Sequence, residues 1–104
     1  MTVMNKGFRL SLVQKDTLFI LYALQLRGKA DPIPLVDILK IVNKGKEKPV
    51  FRQNFSVSCN TLIKNKLIKK FRSASLELAF TLDSEGLRIG KEIYNERTAK
   101  NGQA

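Results

Sequence analysis

The sequence predicts a small α+β domain that is mainly helical, with three helices, a two-stranded hairpin and a C-terminal helix. Apolar residues recur at helical spacing in four segments, whereas they alternate with a period of two in residues 76–82. Prolines and glycines lie between several of these segments. The length of 104 residues suits one hydrophobic core. We therefore expect a single domain over residues 1–104, with its core at about 11–97, an arm at 1–10 and a tail at 98–104.

A capping box predicts where the first helix begins. Ser11 can accept a hydrogen bond from the amide of Gln14, and the Gln14 side chain can reach back to Ser11. The helix is predicted over residues 12–26, and Gly28 suits its C-terminal end. Because its apolar residues form a wide stripe, we expect this helix to be central to the core.

Two prolines predict a short extended link before the second helix. In residues 31–34, each proline disfavours the helical conformation of the residue before it, and Pro34 is well placed to open the next helix. Residues 44–46, Lys-Gly-Lys, end that helix. Its apolar positions follow the spacing i, i+3, i+4, i+7 and are Leu35, Ile38, Leu39 and Val42.

The third helix is predicted from Pro49 to about Lys66. Its apolar residues lie three or four positions apart, which places them on one face that we expect to point inward. They are Phe51, Phe55, Cys59 and Leu62. Cys59 is therefore expected to be a small buried hydrophobic residue; a redox role would require exposure and a lowered pKa.

A hairpin and a last helix complete the domain. We predict a first strand at 67–71, a polar turn at 72–75 and a second strand at 76–82. One face of the second strand is expected to carry Leu76, Leu78, Phe80 and Leu82. Asp83 is expected to cap the last helix, and Glu85 to support its N-terminus through the helix dipole.

Two segments carry a resemblance to a known family. They read N-T-L-I-K-N-K-L-I-K-K at residues 60–70 and L-A-F-T-L-D-S-E-G at residues 78–86. This run resembles the broad MarR/PadR-like superfamily of winged helix-turn-helix proteins, in which a recognition helix ends in L-x-x-x-G-L-I and the second wing strand leads into L-T-x-x-G. Lys66 stands where glycine is usual, and Asp83 where threonine is commoner. The resemblance covers roughly residues 11–97 and implies a DNA-binding winged helix; typical MarR proteins are longer and add dimer helices.

Charge indicates a polyanionic partner. Residues 44–72 hold nine of the 19 basic residues and one of the nine acidic ones, so this segment carries +8 of the total charge of +10. Such concentration favours an electrostatic footprint for nucleic acid over a merely solvated lysine-rich surface. We expect the partner to be double-stranded DNA.

The outward face of the third helix is the candidate for reading bases. Asparagine and glutamine can pair with adenine, arginine and lysine with guanine or phosphate, and valine can touch a thymine methyl group. The predicted residues are Arg52, Gln53, Ser56, Val57, Asn60, Thr61 and Lys64. The alternatives are an ordinary polar surface and, for Val57, a helix that starts near Ser56 and leaves Val57 partly buried.

Other basic residues are candidates for contacts with the DNA backbone. In the hairpin they are Lys69, Lys70 and Arg72, and we expect Arg72 at the tip, where a narrow minor groove attracts arginine. Before the third helix they are Lys44, Lys46 and Lys48. The alternatives are solubilising charges on an edge strand and solvation of a flexible loop.

A homodimer is expected because one small domain presents one recognition helix, whereas a two-fold dimer matches a palindromic operator. The apolar residues of the last helix spread over more of its circumference than a single core-facing stripe needs. The predicted interface comprises Leu87, Ile89, Ile93, Tyr94 and, from the arm, Phe8. The alternative is that all of them pack within the monomer.

Composition also excludes several classes of function. One cysteine and no histidine exclude a zinc site and a histidine-dependent catalytic triad, so we expect no metal, no cofactor and no enzymatic activity. No apolar run approaches a membrane span, and the N-terminus lacks the apolar region of a signal peptide. The expected location is the cytoplasm, on the nucleoid when the protein is bound to DNA.

The predicted function is a sequence-specific DNA-binding regulator, a small repressor that acts as a homodimer on a palindromic operator. A plasmid or phage protein for DNA maintenance or copy control fits the same residues. A winged helix that binds RNA or another protein remains an alternative of a different class.

Overall fold

The computed structural model describes residues 9–102, with side chains up to residue 99. The elements in chain order are α1 (Leu12–Leu26), β1 (Ile33–Pro34), α2 (Leu35–Asn43), α3 (Arg52–Lys64), β2 (Ile68–Arg72), β3 (Leu78–Leu82) and α4 (Ser84–Gly102). This order confirms the predicted mainly helical α+β class and adds one strand. The arm residue Phe8, assigned above to a dimer interface, lies outside the described residues.

Helix α1 begins at the capping box that the sequence predicts. The amide of Gln14 donates to Ser11 Oγ at 3.2 Å, and the amide of Ser11 donates to Gln14 Oε1 at 2.9 Å. The helix contacts α2, α3, α4 and β3, which confirms its central place. The fully buried residues of the core come from α1, α2, α3, the link from α3 to β2, and β3. They include Leu18, Leu35, Ile38, Phe55, Leu62, Leu67 and Phe80.

The extended link before α2 is a strand. Ile33 pairs with Phe80 and Pro34 with Ala79, so the sheet is antiparallel with the order β1-β3-β2. Pro34 lacks an amide hydrogen and is tolerated because β1 is an edge strand. The same proline precedes the first residue of α2, so the sheet directly positions that helix.

Helix α3 is shorter than predicted. The side-chain Nδ2 of Asn43 donates to the carbonyl of Val50 at 3.0 Å, and the main-chain amide of Val50 donates to Asn43 Oδ1 at 2.8 Å. This clamp keeps the chain extended as far as Phe51, whose φ of −77° and ψ of 149° are not helical. Phe51 is consequently 70% exposed, and its predicted place on the inward face is wrong. The other three residues of that face, Phe55, Cys59 and Leu62, are buried as predicted.

Helix α3 ends in a Schellman motif at Lys66. The amide of Leu67 donates to the carbonyl of Leu62 at 2.9 Å, and the amide of Lys66 donates to the carbonyl of Ile63 at 2.9 Å. Lys66 has a φ of +62°, in the left-handed region that glycine adopts without a steric penalty. The glycine of the family pattern is therefore a conformational requirement, and this chain meets it with a strained lysine.

Lys66→Gly is expected to stabilise the protein. Relief of about 1–2 kcal/mol of left-handed strain exceeds the extra backbone entropy that glycine loses on folding. We expect a gain of about 0.5–1 kcal/mol, measured as a higher urea midpoint with an unchanged m-value. Lys64→Gly, in the last turn of the same helix, is the control and should destabilise. An unchanged or lower midpoint for Lys66→Gly would contradict the prediction.

The hairpin turn differs from the predicted one. The amide of Leu76 donates to the carbonyl of Ser73 at 2.8 Å, and the amide of Ser73 donates to the carbonyl of Glu77 at 3.0 Å. These bonds define a three-residue loop at 74–76, whose last residue must be left-handed. Leu76 accordingly has a φ of +66°. It lies outside β3 and is 70% exposed, so its predicted place on the apolar face of the strand is wrong.

Helix α4 packs closely along α1. A Cβ atom added to Gly90 would lie 3.1 Å from the carbonyl oxygen of Leu18. The ring of Tyr94 stacks on Phe19 at 5.5 Å between centroids and meets Tyr22 at 5.3 Å. The helix also continues to Gly102, through the described part of the predicted tail.

Part of the predicted dimer interface is therefore used within the monomer. Ile89 is only 8% exposed and belongs to the core, so its assignment to an interface is wrong. Ile93 packs against the same core, and Leu87 and Tyr94 are half-buried. Within residues 9–102, no helix is both long enough and apolar enough to cross a membrane.

Candidate nucleic-acid interface

The outward face of α3 is largely exposed and, apart from Val57, polar. Of the seven residues predicted to read bases, Ser56 is half-buried and the other six are exposed, namely Arg52, Gln53, Val57, Asn60, Thr61 and Lys64. Val57 is 60% exposed, which excludes the alternative in which it is partly buried. The exposed Asn54 also lies in the first turn of α3 and was missed; its neighbours are polar, so no contrast in the sequence distinguishes it.

A main-chain bond holds one of these side chains. Thr61 Oγ1 donates to the carbonyl oxygen of Val57 at 3.2 Å. Because the hydroxyl proton is used, Thr61 presents lone pairs outward and acts as an acceptor. That property suits a base that offers an amino group, such as cytosine or adenine in the major groove.

The basic residues of the hairpin divide between the two faces of the sheet. Lys70 is opposite Phe80 and Arg72 opposite Leu78, on the same face as the buried Ile68. Lys69 is opposite Thr81 and therefore points to the other face, since successive strand residues alternate. Lys70 and Arg72 thus share the face that packs on the helices, whereas Lys69 is directed away from α3.

Arg72 lies at the base of the hairpin turn and not at its tip, which corrects the predicted placement. Its Nη1 donates to the carbonyl oxygen of Leu76 at 3.1 Å. The amides of Ser75 and Glu77 donate to Ser73 Oγ at 3.3 and 3.1 Å. The turn is therefore braced from several sides, and its outermost residues are 74–76.

A cleft joins the hairpin to the first turns of α2 and α3. It has a volume of about 250 Å³. Arg52 and Arg72 both line it, together with Leu76 from the turn and Val36 from α2. The sequence does not show this proximity, because it depends on how the hairpin folds back over the two helices. The carboxylate of Glu77 lines the same cleft, so its three charged side chains, those of Arg52, Arg72 and Glu77, leave it with a net charge of +1.

The lysines of the loop before α3 differ in availability. Lys44 and Lys48 are exposed, but Lys46 is half-buried, with its Nζ 3.4 Å from Asp16 Oδ2. The other oxygen of Asp16 lies 3.0 Å from Arg97 Nη2. Asp16 thus ties the loop and α4 to α1, and Lys46 is already paired where a phosphate contact was predicted.

Cys59 takes no part in the exposed face. It is buried among apolar residues, and desolvation raises the pKa of its thiol to about 12. A thiol with such a pKa stays protonated at neutral pH and reacts poorly. The interpretation of Cys59 as a buried hydrophobic residue is confirmed.

Known structures share this fold at low sequence identity. The Staphylococcus aureus transcription regulator MepR matches with a TM-score of 0.68 and 20% identity over 95% of this chain and 68% of its own. The Streptococcus pyogenes repressor AdcR matches with a TM-score of 0.71 and 13% identity, over 94% of this chain and 65% of its own. The protein F-93 of SSV1 matches with a TM-score of 0.67 and 19% identity, over 92% of this chain and 90% of its own. MepR in a complex with DNA matches with a TM-score of 0.67 and 20% identity, over 96% of this chain and 77% of its own.

Sequence comparisons find no such match: no protein-family model and no curated protein matches the chain. This chain spans about two thirds of the MepR and AdcR chains but nine tenths of F-93. The predicted topology of three helices, a hairpin wing and a C-terminal helix is present in this chain, and it matches that of winged-helix structural neighbours. The chain has the winged-helix fold.

Proposed function

We propose that the chain is a sequence-specific regulator that binds double-stranded DNA, with α3 in the major groove and the hairpin as a wing along the duplex. The observation that carries this proposal is the position of the charge. The segment 44–72, with +8 of the net charge of +10, folds into the loop before α3, α3 itself and β2. The fold-related MepR is known in complex with DNA, which supports the same partner here.

The roles within the interface follow from exposure and chemistry. Asn60 and Gln53 are exposed amides on α3 and are proposed to pair with adenine. Arg52 and Lys64 lie at the two ends of the same helix, where guanine and phosphates are within reach of long side chains. Arg72 lies at the same cleft as Arg52, and Lys44, Lys48 and Lys70 are exposed; all four are proposed to contact the backbone.

We further propose that the protein acts as a homodimer and represses by occupying a palindromic operator. Each chain contributes one recognition helix, and two-fold symmetry doubles the contacts. The half-buried Leu87, Ile93 and Tyr94 of α4, with Phe8 of the arm, remain the proposed interface. The proposal is a binding role without catalysis, exercised on DNA in the cytoplasm.

Selection of bound sequences from a random duplex library tests this function. A palindromic motif is expected, because two recognition helices related by a two-fold axis read inverted half-sites. Failure to enrich any motif would contradict sequence-specific binding. Stronger binding to RNA than to the selected duplex at matched salt would favour the RNA-binding alternative.

Asn60→Ala is expected to weaken binding to the selected duplex by about 1–3 kcal/mol and to leave binding to random duplexes nearly unchanged. The reason is that a bidentate base contact is made only with the correct base. Titrations of both duplexes by fluorescence anisotropy measure the difference. Asn95→Ala removes an exposed amide from α4 and is the matched control. An equal loss on both duplexes would show that Asn60 does not read bases.

A further inference from the structure

The tip of the wing presents an apolar side chain in a strained conformation. A three-residue hairpin loop needs a left-handed residue at its last position, where glycine is the usual choice. Leu76 occupies that position with a φ of +66°. Its side chain is 70% exposed, so its burial within the monomer offsets little of the strain. Leucine here is unfavourable to the folded monomer both in backbone conformation and in hydration.

The turn holds Leu76 in a fixed direction. The carbonyl of Leu76 accepts from Arg72 Nη1 at 3.1 Å, and its amide donates to the carbonyl of Ser73 at 2.8 Å. The two flanking amides, of Ser75 and Glu77, donate to Ser73 Oγ. A tip braced in this way presents its side chain with little further loss of conformational entropy on binding.

The surroundings of Leu76 indicate what it meets. It lines the cleft of about 250 Å³ together with Arg52, the first residue of α3, with Arg72 and with Glu77, so the charged side chains of the cleft sum to +1. An apolar side chain next to two guanidinium groups suits a surface that combines phosphates with a less polar groove floor. The minor groove of DNA has that character, and apolar side chains such as leucine and phenylalanine enter it in several classes of DNA-binding protein.

We propose that Leu76 is an apolar wedge that the wing places in the minor groove beside the bases read by α3, where it favours A·T pairs. A G·C pair carries a 2-amino group in the minor groove, whereas an A·T pair has none, so the apolar side chain fits closely only against A·T. This inference rests on the proposed function and adds a second, minor-groove contribution to its specificity.

Leu76→Gly separates this role from a structural one, because stability and binding should move in opposite directions. Relief of the left-handed strain is expected to raise Tm by about 2–6 °C. Loss of the wedge is expected to weaken binding to the selected duplex about tenfold. Leu12→Ala removes an exposed leucine from the start of α1 and should leave duplex affinity unchanged.

A modified duplex tests the groove directly. Replacing adenine by 2,6-diaminopurine at the pairs flanking the selected motif adds an amino group to the minor groove and leaves the major-groove edge as it was. The wild-type chain should lose affinity about fivefold or more at one or two of these pairs, and Leu76→Gly should be indifferent to them.

Three outcomes would overturn the wedge and leave the proposed function standing. If the wild-type chain binds duplexes and Leu76→Gly binds them equally well, the wedge is excluded and the proposed function is not. Equal sensitivity of both proteins to diaminopurine also excludes it. Loss of self-association by Leu76→Gly in light scattering, with duplex affinity intact, would mean that Leu76 meets a second copy of the chain instead. A wild-type chain that binds no duplex would overturn the proposed function, and the wedge with it.

Discussion

Gly86→Ala is expected to destabilise the protein by about 3 kcal/mol or more, because a β-carbon at this position would meet the backbone. A Cβ atom built on Gly86 lies 1.8 Å from the carbonyl oxygen of Leu67. That oxygen also accepts a hydrogen bond from the amide of Asp83 at 2.9 Å, so it cannot move away without breaking the junction of β3 and α4. The nearest atom is main chain, and no rotamer change relieves the contact.

Thermal unfolding followed by circular dichroism measures this effect. For a domain of this size, 3 kcal/mol corresponds to a fall in Tm of about 12–24 °C. Gly90→Ala is the matched control on the same helix: its Cβ would lie 3.1 Å from the nearest atom, and the gain in helix propensity offsets part of the crowding. A loss at Gly86 no larger than that at Gly90 would show that the approach of α4 to Leu67 is not tight.

The same contact explains a glycine that the sequence alone presents only as part of a family pattern. The last position of L-T-x-x-G is Gly86, and it is required because α4 starts against Leu67, the last residue of the Schellman motif of α3. The two glycine positions of the pattern thus have different physical causes. One provides a left-handed φ, which Lys66 adopts under strain, and the other provides space.

Local signals predicted the elements that depend on local interactions. The capping box at Ser11 set the start of α1, and spacing set the inward face of α3 from Phe55 to Leu62. The exposed face of α3 followed from the buried one. The start of α3 was missed because the clamp between Asn43 and Val50 joins residues seven apart, which neither propensity nor periodicity detects.

Contacts between distant segments account for the other differences. The period-two pattern extends from β3 through Leu76, although the loop geometry closes the strand at Leu78. Of the α4 residues that suggested an interface, Ile89 is buried in the core, and Tyr94 packs on Phe19 and Tyr22 of α1. The charge of Lys46 was assigned to phosphates because its partner Asp16 lies 30 residues away.

Removing the charges of Lys70 and Arg72 is expected to lower affinity for every duplex and to reduce its dependence on salt. The slope of log affinity against log salt falls by about 0.9 for each phosphate that is no longer neutralised, so Lys70→Gln with Arg72→Gln should reduce it by about 1.8. The affinities of the variant and the wild type should converge near 1 M salt and differ by roughly 60-fold at about 0.1 M. Because phosphates carry no sequence information, selected and random duplexes should be weakened equally.

The geometry of the sheet supplies the control for this prediction. Lys69 has the same charge and lies on the same strand, but its pairing with Thr81 directs it to the opposite face from Lys70 and Arg72. Lys69→Gln should therefore leave the slope unchanged, although charge alone would rank it with its neighbour. A second control, Lys15→Gln with Lys91→Gln, removes two exposed charges from α1 and α4 and tests the effect of net charge. If Lys69→Gln lowers the slope as much as Lys70→Gln, the duplex contacts both faces of the wing. If neither variant changes it, the backbone contacts lie elsewhere, with the exposed Lys44 and Lys48 as the next candidates.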